Sequence, residues 1–137
     1  MAVPYLACMA LVAQIYHLPP RVLPAIQHVE GGTPGDVSHN ADGSDDYGVM
    51  QVNSRWLPAL SAYSSLPPAV VRARLIADPC FSIAAGGAIF RAYLDEARGD
   101  LMLAVGYYHS HTTTLNLTYQ AKVRNAAAVM FGAAKSR

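Results

Sequence analysis

One glutamate in this sequence stands where a carboxyl group could keep its proton near neutral pH. Glu30 is followed directly by Gly31-Gly32, and glycine ends helices because it adopts the left-handed cap conformation cheaply. An apolar helix face precedes it with the spacing i, i+3, i+4 and i+7: Val22, Ala25, Ile26 and Val29. A carboxylate in the last turn meets the negative end of the helix dipole and apolar neighbours, and both favour the neutral acid. The spacing therefore predicts a general acid, with a solvated glutamate at a helix end as the alternative.

The loop after this glutamate is rich in carboxylates and invites comparison with a calcium site. Residues 31–48 hold four aspartates and five glycines. When Gly43 is placed at position six of an EF-hand, Val49 falls at position twelve, where a bidentate glutamate is needed. The histidines of the chain match no zinc-ligand spacing. We therefore expect neither a metal nor another cofactor.

Composition limits the class of protein. The 137 residues predict a single domain, residues 1–137, long enough to bury about two-thirds of its unfolded surface. Hydrophobic residues make up 53% of the chain and charged residues 14%, against roughly 25% charged in an ordinary domain, which indicates a compact fold. A net charge of +1, with scattered basic residues, argues against a nucleic-acid partner. The longest apolar run, Ala2 to Ala13, is too short to span a bilayer.

The hydrophobic pattern predicts a mainly α-helical domain with one irregular lobe. Residues 31–53 form that lobe, with turns and a short hairpin, and Thr112-Thr113-Thr114 forms a loop. Pro24 is expected to remove a backbone bond or kink its helix, and Gly86-Gly87 indicates a close approach by another helix or by a substrate groove. The first two predicted helices cover about residues 5–16 and 20–30, and Ser54 caps a short third helix that reaches Leu60. A fourth helix begins at Pro67-Pro68 and ends at residue 77, and a longer fifth helix follows it to about residue 98. The last two cover about residues 101–108 and 116–131.

Two further features leave alternatives open. Cys8 and Cys80 are buried thiols in a reducing compartment, or a disulfide closing a loop of about 70 residues in an oxidising one. Tyr107-Tyr108-His109 ends a predicted helix, and these side chains are either core aromatics or hydrogen-bonding partners of a sugar. The sequence pattern does not decide either point.

Four segments, taken in order, resemble the motifs of the soluble lytic transglycosylase domain family. The resemblance covers the chain from Cys8 to about Met130, and it is strongest to the small single-domain type that accompanies secretion and conjugation machineries. It implies a lysozyme-like fold and cleavage of the β-1,4 bond between N-acetylmuramic acid and N-acetylglucosamine in peptidoglycan. The segments are Val29-Glu30, then Asn40-Ala41-Asp42-Gly43-Ser44 leading into Gly48-Val49-Met50-Gln51-Val52-Asn53, then Asp78-Pro79-Cys80, then Ala104-Val105-Gly106-Tyr107-Tyr108-His109-Ser110.

The resemblance also assigns roles to residues. Glu30 matches the catalytic acid, Tyr108 matches a tyrosine that hydrogen-bonds near that acid, and Cys8 and Cys80 match a cysteine pair, which favours a disulfide. Two positions depart from the family pattern, because Gly31 stands where a serine is usual and His109 where an asparagine is usual. The expected glycan-binding residues, which include the two groove-lining residues of the family motif, are Met50, Gln51, Asn53, Tyr108, His109 and Tyr119.

The resemblance implies a mechanism with one essential carboxylate. Glu30 protonates the glycosidic oxygen, the substrate's acetamido group stabilises the anomeric carbon, and the substrate's own 6-hydroxyl attacks to give a 1,6-anhydro sugar. One alternative is a hydrolytic lysozyme that uses a second carboxylate from Asp42, Asp45 or Asp46, with Asp45 and Asp46 as the main candidates. The other is a non-catalytic module that binds the cell wall. We expect a monomer exported to the periplasm, with peptidoglycan strands as partner and components of a secretion or conjugation apparatus as further partners.

Overall fold

The structure is a computed structural model that describes residues 2–132, and in this part of the chain helices predominate. They are α1 Leu6–Ile15, α2 Val22–Glu30, α3 Leu57–Ser64, α4 Pro68–Ala77, α5 Pro79–Glu96, α6 Leu101–His109 and α7 Thr113–Phe131. The lobe over residues 31–53 contains a three-stranded antiparallel sheet in the order β1-β2-β3. Its strands are β1 Val37–His39, β2 Asp45–Tyr47 and β3 Val52–Asn53. The predicted fold class, a helical domain with a small β lobe, is confirmed, although the sheet has one strand more than a hairpin.

Helix α5 lies at the centre of the core. It packs against α1, α4 and α6, while α7 packs against α2 and α6 and so closes the bundle behind the end of α2. The two glycines of α5 make the close approaches that their sequence predicted: Gly86 faces Met50 and Tyr108, and Gly87 faces the side chain of Val12. The largest fully buried apolar side chains come from several of these elements: Phe90, Met9, Leu23, Ile26, Met50, Leu75 and Ile83.

Three helix boundaries differ from the sequence prediction for local reasons. Because α2 begins at Val22, Pro24 falls in the first turn, where the backbone N–H groups have no intrahelical partner and a proline costs little. Helix α7 begins at Thr113, so part of the predicted threonine loop is helical. The short turn after β3 is capped by Asn53, whose side chain accepts from the N–H of Arg55, and Ser54 is not the cap.

A disulfide joins Cys8 of α1 to Cys80 of α5, with 5.5 Å between their Cα atoms. The pairing implied by the family resemblance is therefore confirmed in the structure. Within residues 2–132 no single helix has both the length and the apolar composition needed to cross a bilayer, and only the sharply bent pair α4 and α5 meets both criteria together.

Candidate active site

Glu30 is the last residue of α2 and faces a cleft between the helices and the β lobe. The helix ends there because Gly31 takes a left-handed conformation, with φ 66°, and its N–H donates to the carbonyl of Gln27 at 2.8 Å. Such a backbone costs a glycine little and costs other residues more. At position 31, where a serine is usual in the family that the sequence resembles, this chain therefore has a glycine whose backbone conformation ends the helix. The cleft has a volume of about 220 Å³.

The carboxyl group of Glu30 is perturbed in the direction that the sequence predicted. Burial raises its pKa to about 7, and the negative charge of Asp46 adds to the rise. A hydrogen bond from Tyr119 and the positive charge of Lys122 act in the opposite sense. Among residues 2–132 no salt bridge involves Glu30. The group is therefore poised between acid and base near neutral pH, which is what a residue that donates and then reclaims a proton requires.

Tyr119 is the hydrogen-bond partner of this acid. Its hydroxyl donates to Oε2 of Glu30 at 2.5 Å, and the side chain is only 4% exposed. Burial and the neighbouring carboxylate raise the pKa of Tyr119 well above its usual value, so the phenol stays a donor. Tyr119 does not line the cleft, so the prediction that it contacts the glycan is not met by its position. It lies behind the carboxyl group and orients it.

His109 connects this pair to the open face of the cleft. Its ring stacks on the ring of Tyr119 with 5.0 Å between centroids and 10° between planes, and it also lines the cleft. Burial and the charge of Lys122 lower the pKa of His109, which keeps the imidazole neutral at neutral pH. A neutral imidazole can both donate and accept a hydrogen bond, as contact with a sugar hydroxyl requires.

The three candidate second carboxylates have different surroundings. Asp42 lines the cleft, and its Oδ1 accepts from the N–H and the hydroxyl of Ser44 at 2.9 and 2.6 Å. Asp46 lines the cleft with Glu30, and its two oxygens accept from Asn40 Nδ2 at 3.2 Å and from Asn53 Nδ2 at 3.0 Å. Asp45 does not line the cleft, and its carboxylate lies 2.6 Å from Nδ1 of His39. Successive side chains of a strand point to opposite faces, so only one of two neighbouring aspartates can face Glu30.

The loop before β3 supplies one expected contact and one correction. Gln51 lines the cleft in a left-handed backbone conformation, with φ 52°, and its side-chain amide donates to the carbonyl of Gly48 at 3.0 Å. Non-glycine residues rarely take this conformation, and of the five that do so in the described chain only Gln51 lines the cleft. Met50, in contrast, is 0% exposed and does not line the cleft, so the prediction that its side chain lines the glycan groove is wrong.

Met50 acts through its backbone and its packing. Its carbonyl accepts the hydroxyl of Tyr108 at 3.0 Å, and its N–H donates to Oγ of Ser82 at 3.2 Å. Gly86 makes this arrangement possible, because a Cβ at that position would lie 3.1 Å from Cε of Met50 and 3.2 Å from the hydroxyl of Tyr108. Tyr108 lines the cleft, but its hydroxyl donates a hydrogen bond to the Met50 carbonyl. The hydrogen-bond partner of Glu30 is Tyr119.

Sequence reasoning gave no role to several residues that line the cleft. A signal was present for two of them, because Asn40 opens one of the family-like segments and Trp56 is the chain's one tryptophan. Nothing in the local pattern distinguished the others. They are Asn40, Val52, Arg55, Trp56 and Ile89.

The cleft combines the acid Glu30 with amide, imidazole and aromatic groups and with the charged side chains of Asp42, Asp46 and Arg55. The side-chain amides of Asn40, Gln51 and Asn53 line the same cleft as the carboxyl group of Glu30. In the described part of the chain no group of three or more His, Cys, Asp and Glu side chains is placed to hold a metal ion. The arrangement can therefore bind a polyhydroxylated, amide-bearing substrate and protonate a leaving oxygen within it.

A helical bundle and a small β lobe that meet at one buried acid define a lysozyme-like domain. The family model of the transglycosylase SLT domain matches residues 7–129, and the chain therefore belongs to that family. Membership in the family implies a glycan-cleaving domain directed at peptidoglycan.

Three named proteins are similar to this chain. The chain is 30% identical over 107 residues to proteins named "Invasion protein IagB" from two strains of Salmonella typhimurium and from Salmonella typhi. The matched segment covers 77% of this chain and 63% of each relative, so the match leaves more than a third of each relative's length uncovered.

Proposed function

We propose that this protein is a lytic transglycosylase that cleaves the β-1,4 bond between N-acetylmuramic acid and N-acetylglucosamine and leaves 1,6-anhydromuramic ends. The observation that carries the proposal is that burial raises the pKa of one acid in this polar cleft, Glu30, to about 7. Membership in the SLT family supports the reaction class.

In the first step Glu30 donates its proton to the glycosidic oxygen. Tyr119 donates to Oε2, so the acidic proton resides on Oε1, the oxygen left for the substrate. As the bond breaks, the acetamido oxygen of the muramic residue attacks its own anomeric carbon and holds the developing positive charge. The leaving sugar departs with the proton of Glu30, which is now ionised and stabilised by the phenol of Tyr119.

In the second step the ionised Glu30 takes the proton of the substrate's 6-hydroxyl. The 6-oxygen then attacks the anomeric carbon, the bond to the acetamido oxygen breaks, and the 1,6-anhydro ring forms. The nucleophile belongs to the bound sugar, so the step is intramolecular and has an entropic advantage over attack by water. Glu30 regains the proton that it donated, so no second catalytic residue is needed for the proton balance.

Four further side chains of the cleft serve as the proposed glycan-binding residues. Gln51, Asn53, Tyr108 and His109 line the cleft beside Glu30 and present amide, ring and imidazole groups to a sugar. Asn53 also fixes Asp46 through its Nδ2, so its substitution affects both binding and the charge next to the acid.

The proposed cellular role is local opening of the cell wall for an envelope-spanning machine, with the enzyme exported to the periplasm. The disulfide between Cys8 and Cys80 supports an oxidising compartment. The relatives named as invasion proteins support a link to a specialised envelope process.

Mass spectrometry of muropeptides released from purified sacculi tests the reaction. The wild type is expected to release 1,6-anhydro products, and the Glu30→Gln variant is expected to release none while it still binds the sacculi. Reducing ends in place of anhydro ends refute the transglycosylase reaction. Cleavage that survives in Glu30→Gln refutes the role of the acid. A wild type that binds without cleaving indicates a non-catalytic module.

A hydrolytic reaction is the second candidate, and the position of Asp46 favours it. Its carboxylate is held by Asn40 and Asn53 in the same cleft as Glu30, where it could stabilise a glycosyl cation or orient a water molecule. Asp46→Asn separates the two reactions. A hydrolase that depends on Asp46 loses most of its activity with this change, whereas a transglycosylase keeps forming anhydro ends. Asp45→Asn, one position along the strand and outside the cleft, is the matched control.

A further inference from the structure

A second concave surface adjoins the cleft. We call it the trench: an apolar groove of about 340 Å³ between α3 and α5. Trp56 and Ile89 line both the cleft and the trench, so the two surfaces are continuous. A smaller cavity of about 120 Å³ extends the trench beneath Tyr63 towards Phe81. The principal residues of the trench wall are Tyr16, Ala59, Leu60, Tyr63, Ala88 and Ala92.

The chemistry of the trench differs from that of the cleft. The cleft presents carboxamide, carboxylate and imidazole groups, whereas the trench wall consists of alanine methyl groups, a leucine and tyrosine rings. Sugars need many polar partners, and the trench wall supplies few. Small apolar side chains on an extended backbone suit an alanine-lined groove better.

Charge at the rim narrows the choice of ligand. Arg91 is fixed there, because it pairs with Asp95 at 2.5 Å and also donates to the carbonyls of Tyr16 and His17. The side chain of Asp95 is 66% exposed and keeps one oxygen outside that pair. The two charges of this pair offset each other, and the oxygen of Asp95 outside the pair can accept a hydrogen bond from an amino group of a ligand.

We propose that the trench binds the peptide stem attached to the muramic residue in the cleft, a proposal that rests on the proposed function. The stem begins with alanine, carries carboxylates and has a free amino group on its third residue. Asp95 lies six residues after Ile89 in α5, so the distance between them along the helix axis is roughly 9 Å at 1.5 Å per residue. An extended peptide covers about 3.3–3.6 Å per residue, so its third residue reaches Asp95. The amino group of the third residue meets the free oxygen of Asp95, and the alanine side chains of the stem lie along the trench.

The test measures binding in the Glu30→Gln background, so that cleavage does not consume the ligand. The two ligands are glycan strands that bear their stems and the same strands after an amidase has removed the stems. The Glu30→Gln protein is expected to bind the stem-bearing strands about tenfold more tightly, which is about 1.4 kcal/mol. Adding Ala59→Gln and Ala92→Gln, which project into the trench from both walls, should abolish that preference and leave the affinity for bare strands unchanged.

The matched control adds Ala62→Gln and Ala69→Gln, two exposed helical alanines outside the trench, and it should retain the preference. A second measurement leaves the protein untouched: acetylation of the stem amino groups should weaken binding by removing the partner of Asp95. Equal affinities for the two ligands overturn the proposal, as does a preference that survives filling of the trench. A preference for stems in a protein whose wild type cleaves nothing overturns only the proposed reaction.

Discussion

Replacing Tyr119 by phenylalanine should raise the pKa of Glu30. The phenol donates to Oε2 and thereby stabilises the ionised carboxylate against the opposing effect of burial. Phenylalanine keeps the buried ring and its stacking on His109, and it removes only the hydroxyl group. The variant therefore changes the hydrogen bond while it preserves most of the packing around the acid.

The size of the effect follows from the strength of the lost bond. A hydrogen bond to a charged group contributes about 1.5–3 kcal/mol, and 1.36 kcal/mol corresponds to a factor of ten in an ionisation constant. Because the carboxyl group is partly open to the cleft, we take the lower end, a rise of about one pH unit from the wild-type pKa of about 7. The acid must be protonated in the free enzyme, so kcat/KM falls as pH rises through this pKa.

The assay is the pH dependence of kcat/KM for release of anhydro-muropeptides. In Tyr119→Phe the alkaline limb should move up by about one pH unit, while the maximum falls on the order of tenfold because the carboxyl group loses its orienting partner. Tyr107→Phe, in a ring that stacks on His111 and not on the Glu30 pair, is the control and should leave the limb in place. A limb that stays fixed or moves to lower pH in Tyr119→Phe refutes the reasoning.

Three further results are expected. Burial raises the pKa of Glu30 from 4.5 to about 7, so the folded protein loses stability as pH rises through that range. The Glu30→Gln variant mimics the protonated acid. In urea unfolding its free energy of unfolding should exceed that of the wild type by about 3 kcal/mol at pH 8 and nearly equal it at pH 4. An equal gain at both pH values would contradict this account. Replacing Cys8 and Cys80 by serine should lower the free energy of unfolding by about 2–4 kcal/mol, because the disulfide closes a loop of 72 residues; an unchanged urea midpoint would count against it. Gly86→Ala should lower kcat while Tm stays close to that of the wild type, because the new methyl group pushes on the hydroxyl of Tyr108. Full activity of this variant would show that the contact is dispensable.

Local chemistry explains what the sequence predicted correctly. Gly31 ends a helix through its own backbone freedom, and that stop places Glu30 in the last turn whatever the rest of the chain does. Pro68 marks a helix start for an equally local reason, because a proline in the first turn loses no bond. In the structure Asp78 and Asp100 cap the next two helices, because each side chain accepts a free N–H. The direction of the pKa shift of the acid was also predicted from its apolar neighbours, and the charge of Asp46 adds to the effect of burial.

The identity of the partners of Glu30 depended on contacts between distant segments. Tyr119 is 89 residues away in sequence, and only the packing of α7 against α2 brings its hydroxyl to the carboxyl group. The choice between Asp45 and Asp46 depended on strand register, since a shift by one residue would exchange the side chains that face the cleft.

The sequence by itself determined that this chain carries an isolated acid at a helix end and the segments of a glycan-cleaving family. It did not determine which side chains surround that acid, and it placed Met50 in the groove where the structure buries it. The physical reason is the range of the interactions involved. Caps, turns and periodicity act within a few residues and can be read from neighbouring letters, whereas burial and hydrogen bonds between helices depend on how the whole domain packs.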